Sequence, residues 1–336
     1  MSLTPPQTVP GLDIRAIEGF QTIRTHVNRQ IIGQVEMVDR LLIALLADGH
    51  LLVEGAPGLA KTKAVKEIAR CVEGDFHRVQ FTPDLLPADL TGTEVYRPDD
   101  GSFVFQPGPL FHNIILADEV NRAPAKVQSA LLEAMGERQI TVGKTTYNLP
   151  RLFMVMATQN PIEQEGTYPL PEAQLDRFLM HIRVDYPAGN SEREILQLVR
   201  EETLKQIDDI PDTMEPLISQ ELVFSAREQL LRLHMAAPLE EYLVQLVLAT
   251  RQPEVYETDF KRWVNFGASP RATIALDRCA RAHAWLNRRD YVSPDDIQAV
   301  AHDVFRHRIL MSFEAEAEGI DADRFVSELI KRVAVP

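Results

Sequence analysis

The sequence predicts an α/β domain, in which helices flank a parallel sheet, followed by a smaller domain built from helices alone. Three observations predict this division. From Asp48 to about Tyr186 short apolar runs alternate with helical patterns, strand patterns stop near Asn190, and helix-start signals continue beyond it. Such an alternation is typical of a parallel sheet with helices on both faces.

The elements follow in order. A proline-containing tail is expected over residues 1–14, and helices from Asp13 to Asp48 with a break near residues 30–34. Candidate strands are short and mostly apolar, as buried parallel strands are, and occupy residues 51–54, 77–81, 113–117, 152–158 and 181–184. We therefore expect the α/β domain over residues 15–206, an Asp- and Pro-rich linker over 207–216, and the helical domain over 217–336.

In the helical domain, two helix starts carry clear capping signals. Ser269-Pro270 and Ser293-Pro294 each combine a cap residue with proline in the first turn, and acids follow the second of them. The stripe of Leu243, Leu246 and Val247 has helical spacing and is interpreted as core.

Composition limits the classes of function. The formal net charge is −14 with a pI near 5.1, which disfavours nonspecific binding to nucleic acids or anionic lipids. No apolar segment approaches the roughly 18 to 20 residues that span a bilayer. Cys71 and Cys279 lack metal-ligand spacing, and the first residues lack a basic region followed by an apolar run. We expect a cytoplasmic protein with reduced thiols, without nucleic-acid binding or direct membrane insertion.

The most informative segment is a phosphate-binding loop between the first strand and a helix. Its residues are Gly55, Ala56, Pro57, Gly58, Leu59, Ala60, Lys61 and Thr62. Backbone N–H groups of such a loop converge on phosphate, Lys61 supplies charge to the β and γ phosphates, and Thr62 offers a hydroxyl to Mg²⁺. The sequence thus predicts ATP and Mg²⁺ as cofactors. Ala60 replaces the usual glycine before the lysine, so we expect a negative φ there.

Polar side chains follow two of the later predicted strands. The strand over 113–117 ends in Asp118 and Glu119, which suit the Mg²⁺ shell and the polarisation of the attacking water, respectively. The strand over 152–158 leads to Asn160, which either orients water or contacts the γ-phosphate, or simply forms an Asn-Pro turn.

Two arginines are further candidates. Arg177 lies at the end of a helix predicted over 172–178, where it either interacts with solvent and the helix dipole or completes a neighbouring subunit's site as an arginine finger. Arg271 lies in the first turn of the helix that begins at Pro270. A cation at a helix N-terminus is best explained by an anion in front of it.

Together these motifs resemble the MoxR family of AAA+ ATPases. The resemblance extends from about Gly19 to Arg308 and includes the phosphate loop, Ala-Asp-Glu-Val-Asn-Arg-Ala-Pro, Ala-Thr-Gln-Asn-Pro, Leu-Pro-Glu-Ala-Gln-Leu-Asp-Arg-Phe and Gly-Ala-Ser-Pro-Arg-Ala. Alanine before the loop lysine is usual in this family. The resemblance implies a P-loop NTPase of the AAA+ type with a C-terminal helical lid.

The resemblance also implies roles for individual residues. Ile31, Ile32 and Gly33 would line the adenine site. Lys61 and Thr62 would belong to the Walker A motif, and Asp118 and Glu119 to the Walker B motif. Asn160 would be sensor 1 and Arg271 sensor 2. Arg177 would be the finger that acts in trans.

Family membership would further imply a homo-oligomer, since a trans finger requires a second subunit, and we expect a hexameric ring. It implies a von Willebrand factor A domain partner and a client complex that is remodelled, matured or loaded with metal. Two hairpins, near residues 92–106 and 139–149, would lie on the remodelling face. The alternatives are a chelatase-type motor subunit, a nucleic-acid remodelling ATPase and a nonhydrolytic nucleotide switch.

Overall fold

The computed structural model describes residues 13–99, 101–161, 166–207 and 214–335. It divides into two compact units, Arg24–Pro216 and Met1–Ile23 together with Leu217–Pro336. Helix α1 (Ile14–Gln30) therefore contributes to both units. The α/β domain was predicted to begin at residue 15, whereas the described residues up to Ile23 group with the C-terminal residues. Most of the predicted linker, residues 208–213, lies outside the described residues.

The first unit, Arg24–Pro216, contains the sheet. Its strands are β1 (Leu51–Gly55), β2 (Phe76–Gln80), β3 (Gly92–Arg97), β4 (Ser102–Pro107), β5 (Ile114–Asp118), β6 (Gln139–Val142), β7 (Thr145–Asn148), β8 (Met154–Gln159) and β9 (Met180–Val184). Its helices after α1 are α2 (Val35–Leu46), α3 (Lys61–Cys71), α4 (Pro87–Thr91), α5 (Ala125–Glu137), α6 (Glu172–Leu175) and α7 (Gly189–Ile207).

Five of these strands form one sheet in the order β2-β5-β8-β1-β9, and every pairing within it is parallel. All five predicted strands are confirmed, with ends that differ by one or two residues. The predicted break between the N-terminal helices is also confirmed, because α1 ends at Gln30 and α2 begins at Val35.

The central strands are buried on both faces, as expected for a parallel sheet. On one face Ile115 and Ala117 of β5 pack with Val155 and Ala157 of β8 in a core that also includes apolar residues of α5. Their neighbours on the opposite face, such as Leu116, are equally buried. This rigid centre fixes the positions at which β1, β5 and β8 end.

Both predicted hairpins are confirmed as antiparallel pairs, β3 with β4 and β6 with β7. Aromatic side chains connect them, since the rings of Phe105 and Tyr147 stack with centroids 4.0 Å apart. Asp100 lies outside the described residues, and the two hairpin turns contain Gly101 and Gly143 at positive φ.

The second unit is mainly helical. Its helices are α8 (Gln220–Arg232), α9 (Ala237–Arg251), α10 (Pro270–Leu286), α11 (Pro294–Phe305), α12 (Phe313–Ala317) and α13 (Ala322–Arg332). The expectation of helices alone was wrong in one detail, because β10 (Val264–Phe266) and β11 (Leu310–Met311) form an antiparallel pair. Strands of three and two residues are too short to leave a periodic pattern.

The helix caps and the buried residues of this unit agree with the predictions made from the sequence. Ser269 accepts a hydrogen bond from the Arg271 N–H at the start of α10, and Ser293 begins α11 with a capping box. Leu243, Leu246 and Val247 are buried, as predicted. Over the part of the chain that the structure describes, we find no helix with the length and apolar character required to cross a membrane.

Candidate functional site

The phosphate loop connects the end of β1 to the start of α3, and its backbone departs from the prediction at one residue. Ala60 has φ +57° and ψ +18°, a left-handed conformation, so the expected negative φ was wrong. The error arose because an alanine was assumed to avoid the conformation that glycine accepts freely. Gly58 also has a positive φ, +85°, and a side chain there would meet no atom within 4 Å.

These backbone angles prepare the N-terminus of α3 for an anion. The first four N–H groups of a helix have no partner within it, and here they follow directly from the loop. The carbonyl of Ala60 already accepts the first helical bond, from the Ala64 N–H at 2.9 Å. The helix therefore begins at the loop without an intervening segment, as the predicted motif requires.

The loop forms one side of a cavity of about 380 Å³. The lining consists of Pro57, Gly58, Leu59, Ala60, Lys61, Thr62, Lys63, Asp118, Glu119, Thr158, Gln159 and Asn160. Lys61 donates a hydrogen bond to the carbonyl of Gly55. Partial burial lowers the pKa of Lys61, although the nearby Asp118 and Glu119 carboxylates oppose this effect. The lysine thus has an acidic environment on one side and loop backbone on the other.

Asp118 is the last residue of β5, and Glu119 turns the chain with φ +56°. Thr158 of the neighbouring strand β8 connects the two acids. Its hydroxyl donates to Asp118 Oδ1 at 2.6 Å and accepts from the Glu119 N–H at 2.9 Å. One hydroxyl therefore fixes both the side chain of the first acid and the backbone of the second.

Asn160 follows β8, which lies between β5 and β1, and it contributes to the cavity lining. Its side chain is 8% exposed. The position agrees with the expectation that an adjacent strand presents this amide beside the same cavity, while its role as a sensor stays a prediction.

Three polar residues around the acids were missed by the sequence analysis. Arg78 of β2 donates to Asp118 Oδ2 at 2.6 Å, and Gln80 of the same strand donates to Glu119 Oε2 at 2.7 Å. Arg122 also pairs with Glu119 Oε2, with Nε at 3.1 Å. Arg78 and Gln80 alternate with the buried Val79, so the two-residue period of a strand could have predicted that they share one face of the sheet. Their acidic partners follow only from the order of strands in the sheet.

The other predicted residues of this unit lie elsewhere. Arg177 follows α6, which ends at Leu175 and is shorter than the predicted helix, and it donates to the carbonyl of Leu132 in α5. Both predicted roles of Arg177, at the end of its own helix and as a finger, stay predictions. Ile31 is buried, Ile32 is half-buried, and Gly33 has φ +79°. A side chain at Gly33 would come within 2.7 Å of Pro187. Arg271 is exposed in the first turn of α10, in the second unit.

The donor set suits Mg²⁺ bound together with a nucleotide. Thr62 and Asp118 supply a hydroxyl and a carboxylate to the same cavity, and Mg²⁺ prefers oxygen ligands combined with substrate phosphates. Among the described residues, no cluster of three or more His, Cys, Asp or Glu side chains forms a separate metal site.

Comparisons with known proteins agree with this geometry. A model of the ATPase family associated with various cellular activities (AAA) matches residues 50–180, and an AAA lid domain model matches residues 256–329. A solved structure of a protein from Cytophaga hutchinsonii, assigned as an ATPase, superposes with a TM-score of 0.86 at 45% identity and covers 96% of both chains.

Relatives of similar length carry more specific names. The chain is 48% identical over 333 residues to Chaperone MoxR1 of Mycobacterium tuberculosis. This alignment covers 99% of this chain and 86% of that protein. It is 33% identical over 305 residues to Protein MoxR of Paracoccus denitrificans, covering 87% and 89% of the two chains. A more distant relative, at 24% identity over 353 aligned positions, is the Magnesium-chelatase 38 kDa subunit of Acidiphilium rubrum.

Proposed function

Because this chain belongs to the MoxR family of AAA+ ATPases, we propose that it hydrolyses Mg²⁺-ATP in a ring to remodel or mature a client complex. At the coarser level it is a chaperone-like ATPase with an AAA+ α/β fold and a C-terminal helical lid. One observation carries the proposal. The phosphate loop, Asp118, Glu119 and Asn160 line the same cavity.

In the proposed mechanism the loop N–H groups and Lys61 bind the nucleotide phosphates. Thr62 and Asp118 hold Mg²⁺, which when bound neutralises developing charge on the transferred phosphoryl group. Glu119 accepts a proton from the attacking water, and the Asn160 amide orients that water. Catalysis in such a site depends on positioning and electrostatics, so the contacts that fix the acids matter as much as the acids themselves.

Roles for the residues outside the cavity are proposed from the family resemblance. Ile31, Ile32 and Gly33 are proposed to bind adenine. Arg177 is proposed as a finger that completes the next subunit's site, and Arg271 as the lid residue that reports the nucleotide state. Family members act as oligomers, and a finger supplied in trans explains why turnover would require one. We propose a hexamer.

We further propose a cytoplasmic location, from the composition of the sequence, and a von Willebrand factor A domain partner, from the family resemblance. The hairpin β3–β4 supports a remodelling role, since its Tyr96 and Phe103 side chains are 53% and 66% exposed. Residues 93–105 carry Arg97 against Glu94, Asp99 and Asp100, a balance that disfavours nucleic acid as the client.

A second candidate is a chelatase-type motor subunit. The observation in its favour is the relationship to the Magnesium-chelatase 38 kDa subunit, which extends over 91% of this chain and 97% of that protein. Both candidates use the same ATPase site, and they differ in whether the client gains a metal ion.

The catalytic assignment is tested by Glu119→Gln. We expect steady-state ATP turnover to fall by about 10²-fold or more, since the residue acts as a general base, while equilibrium ATP binding persists. Glu133→Gln, an exposed glutamate on α5, is the control and should retain turnover. Unchanged hydrolysis in Glu119→Gln would remove this residue from the mechanism.

The ring is tested by mixing subunits. Arg177→Ala and Lys61→Ala should each abolish turnover, and mixtures of the two should recover part of it, because some interfaces then combine an intact loop with an intact finger. Light scattering and subunit exchange of labelled chains establish that mixed assemblies form. An absence of recovery in proven mixed assemblies would rule out the trans role of Arg177.

A further inference from the structure

Both oxygens of the Asp118 carboxylate are held by side chains from the two strands that flank β5. On one side, Thr158 of β8 donates to Oδ1 at 2.6 Å. On the other, Arg78 of β2 donates to Oδ2 through Nη2 at 2.6 Å and Nε at 3.1 Å. The Asp118 side chain is 13% exposed, so these contacts replace most of its solvent. The carboxylate is thereby fixed in one orientation.

Arg78 also connects Asp118 to the second acid. Its Nη2 donates to Gln80 Oε1 at 3.1 Å, and Gln80 Nε2 donates to Glu119 Oε2 at 2.7 Å. Because Gln80 is in register with Asp118 across the β2–β5 pair, this chain of contacts runs along the ends of both strands. A single guanidinium therefore orients one acid directly and the other through an amide.

A second cation, Lys61, belongs to the surroundings of Asp118. It lines the same cavity, and the charge of Asp118 acts on its pKa. If the carboxylate lost the contact with Arg78, attraction to the Lys61 ammonium would favour an orientation toward the cation that the phosphates require. By occupying Oδ2 from the side of β2, Arg78 prevents this reorientation while leaving further lone pairs on both carboxylate oxygens.

We propose that Arg78 is a positioning residue for ATP hydrolysis, which holds the Asp118 carboxylate in the orientation needed for Mg²⁺. The proposal rests on the assignment of Asp118 to Mg²⁺ in the proposed function. Residues that orient a metal ligand from behind commonly change metal affinity by about 10- to 100-fold when they are removed. Arg78 fits this description because it touches the ligand and does not line the cavity.

The direction in which Mg²⁺ affinity changes on removal of Arg78 distinguishes an orienting role from a purely electrostatic one. If Arg78 acted only as a positive charge near the metal, its removal would strengthen Mg²⁺ binding, since like charges repel. If it orients Asp118, removal weakens Mg²⁺ binding despite the lost repulsion. The two readings therefore predict opposite shifts.

The experiment measures binding of a fluorescent, nonhydrolysable ATP analogue to the full chain during a Mg²⁺ titration and in EDTA. The variants are Arg78→Met, which keeps the length of the side chain, and Arg78→Gln as a second neutral substitution. Arg78→Lys restores charge and one donor, and Arg193→Met, an exposed arginine on α7, is the control. Thermal unfolding of each variant shows whether it is folded; half of the Arg78 side chain is exposed on an edge strand, so we expect all four to fold.

We expect Arg78→Met and Arg78→Gln to raise the half-saturating Mg²⁺ concentration about tenfold, with affinity in EDTA unchanged. Arg78→Lys should recover most of this loss, and Arg193→Met should match the parent. An unchanged or lowered Mg²⁺ requirement in the neutral variants would overturn the proposal. So would an equal loss of affinity in EDTA, because that would indicate general damage to the loop.

Asp118→Asn distinguishes the two levels of inference. If it raises the Mg²⁺ requirement and the Arg78 variants do not, only the role of Arg78 is wrong. If it leaves the Mg²⁺ requirement unchanged, the assignment of Asp118 in the proposed function fails and the role of Arg78 fails with it.

Discussion

The left-handed backbone at Ala60 makes a prediction that is unusual for a helix start. Replacing an alanine with glycine in or near a helix normally destabilises a protein, because glycine is more flexible in the unfolded chain. At Ala60, with φ +57°, the same substitution removes the Cβ atom that makes the left-handed conformation unfavourable. We therefore expect Ala60→Gly to stabilise the chain.

The magnitude follows from two opposing contributions. Relief of the left-handed conformation is worth about 1–2 kcal/mol, and the greater freedom of glycine in the unfolded state returns about 0.4–1 kcal/mol. The free energy of unfolding should thus increase by roughly 1 kcal/mol. The substitution leaves the loop N–H groups in place, so ATP affinity should be retained.

Ala64→Gly is the matched control, one turn further along α3. Ala64 is fully buried inside the helix. Glycine there costs about 1 kcal/mol in helix propensity, and the lost methyl group adds about 0.8 kcal/mol. Urea unfolding, followed by far-UV circular dichroism, should move the midpoint upward for Ala60→Gly and downward for Ala64→Gly. If Ala60→Gly instead lowered the stability by about 1 kcal/mol, as expected at a negative φ, the left-handed assignment would be refuted.

Two further predictions concern burial. Phe20 of α1 is fully buried and packs edge-to-face on Trp285, with ring centroids 5.4 Å apart. Phe20→Ala should therefore lower the free energy of unfolding of the C-terminal unit by about 3–5 kcal/mol. Tryptophan fluorescence during unfolding measures this change. Phe313→Ala, at an 86% exposed position, is the control, and an unmoved transition in Phe20→Ala would contradict the grouping of α1 with this unit. Burial, and secondarily Glu67, raises the pKa of the Cys71 thiol to about 12, so at pH 8 this thiol should not react with a disulfide reagent in the folded chain. Urea should expose both cysteines, whereas rapid labelling of Cys71 in the native protein would contradict its burial.

Local patterns were sufficient for the strands and the phosphate loop, but not for contacts that depend on sheet order. The buried strands β1, β5 and β8 leave mostly apolar runs that are visible in the sequence. The neighbour of β5 on its outer side is β2, more than thirty residues earlier in the chain, and nothing local to Arg78 or Asp118 indicates that pairing. The same limit applies to Phe20, because the helical pattern of α1 does not say which unit buries it.

The backbone at Glu119 explains how two consecutive acids can take different roles. In a continuing strand their side chains would point to opposite faces of the sheet. Glu119 instead adopts φ +56°, which ends β5 and directs its N–H to the Thr158 hydroxyl. Asp118 stays at the end of the strand, held from both sides, while Glu119 belongs to the turn that follows. The proposed division of roles therefore has a basis in the main chain.

Within the described ranges of the chain, the two non-glycine positions that have a positive φ and do not follow a helix both lie at the cavity. Among the described residues, non-glycine positions with positive φ are Asp48, Ala60, Glu119, Arg138 and Arg288. Three of them follow the ends of α2, α5 and α10, where a left-handed residue is a common way to terminate a helix. The other two, Ala60 and Glu119, have no helix to terminate, and both line the cavity. Such conformations persist where the surrounding structure enforces them, and they recur at functional sites. The phosphate loop and the acidic turn thus share a physical signature that neither motif reveals in sequence, and it supports placing the chemistry between them.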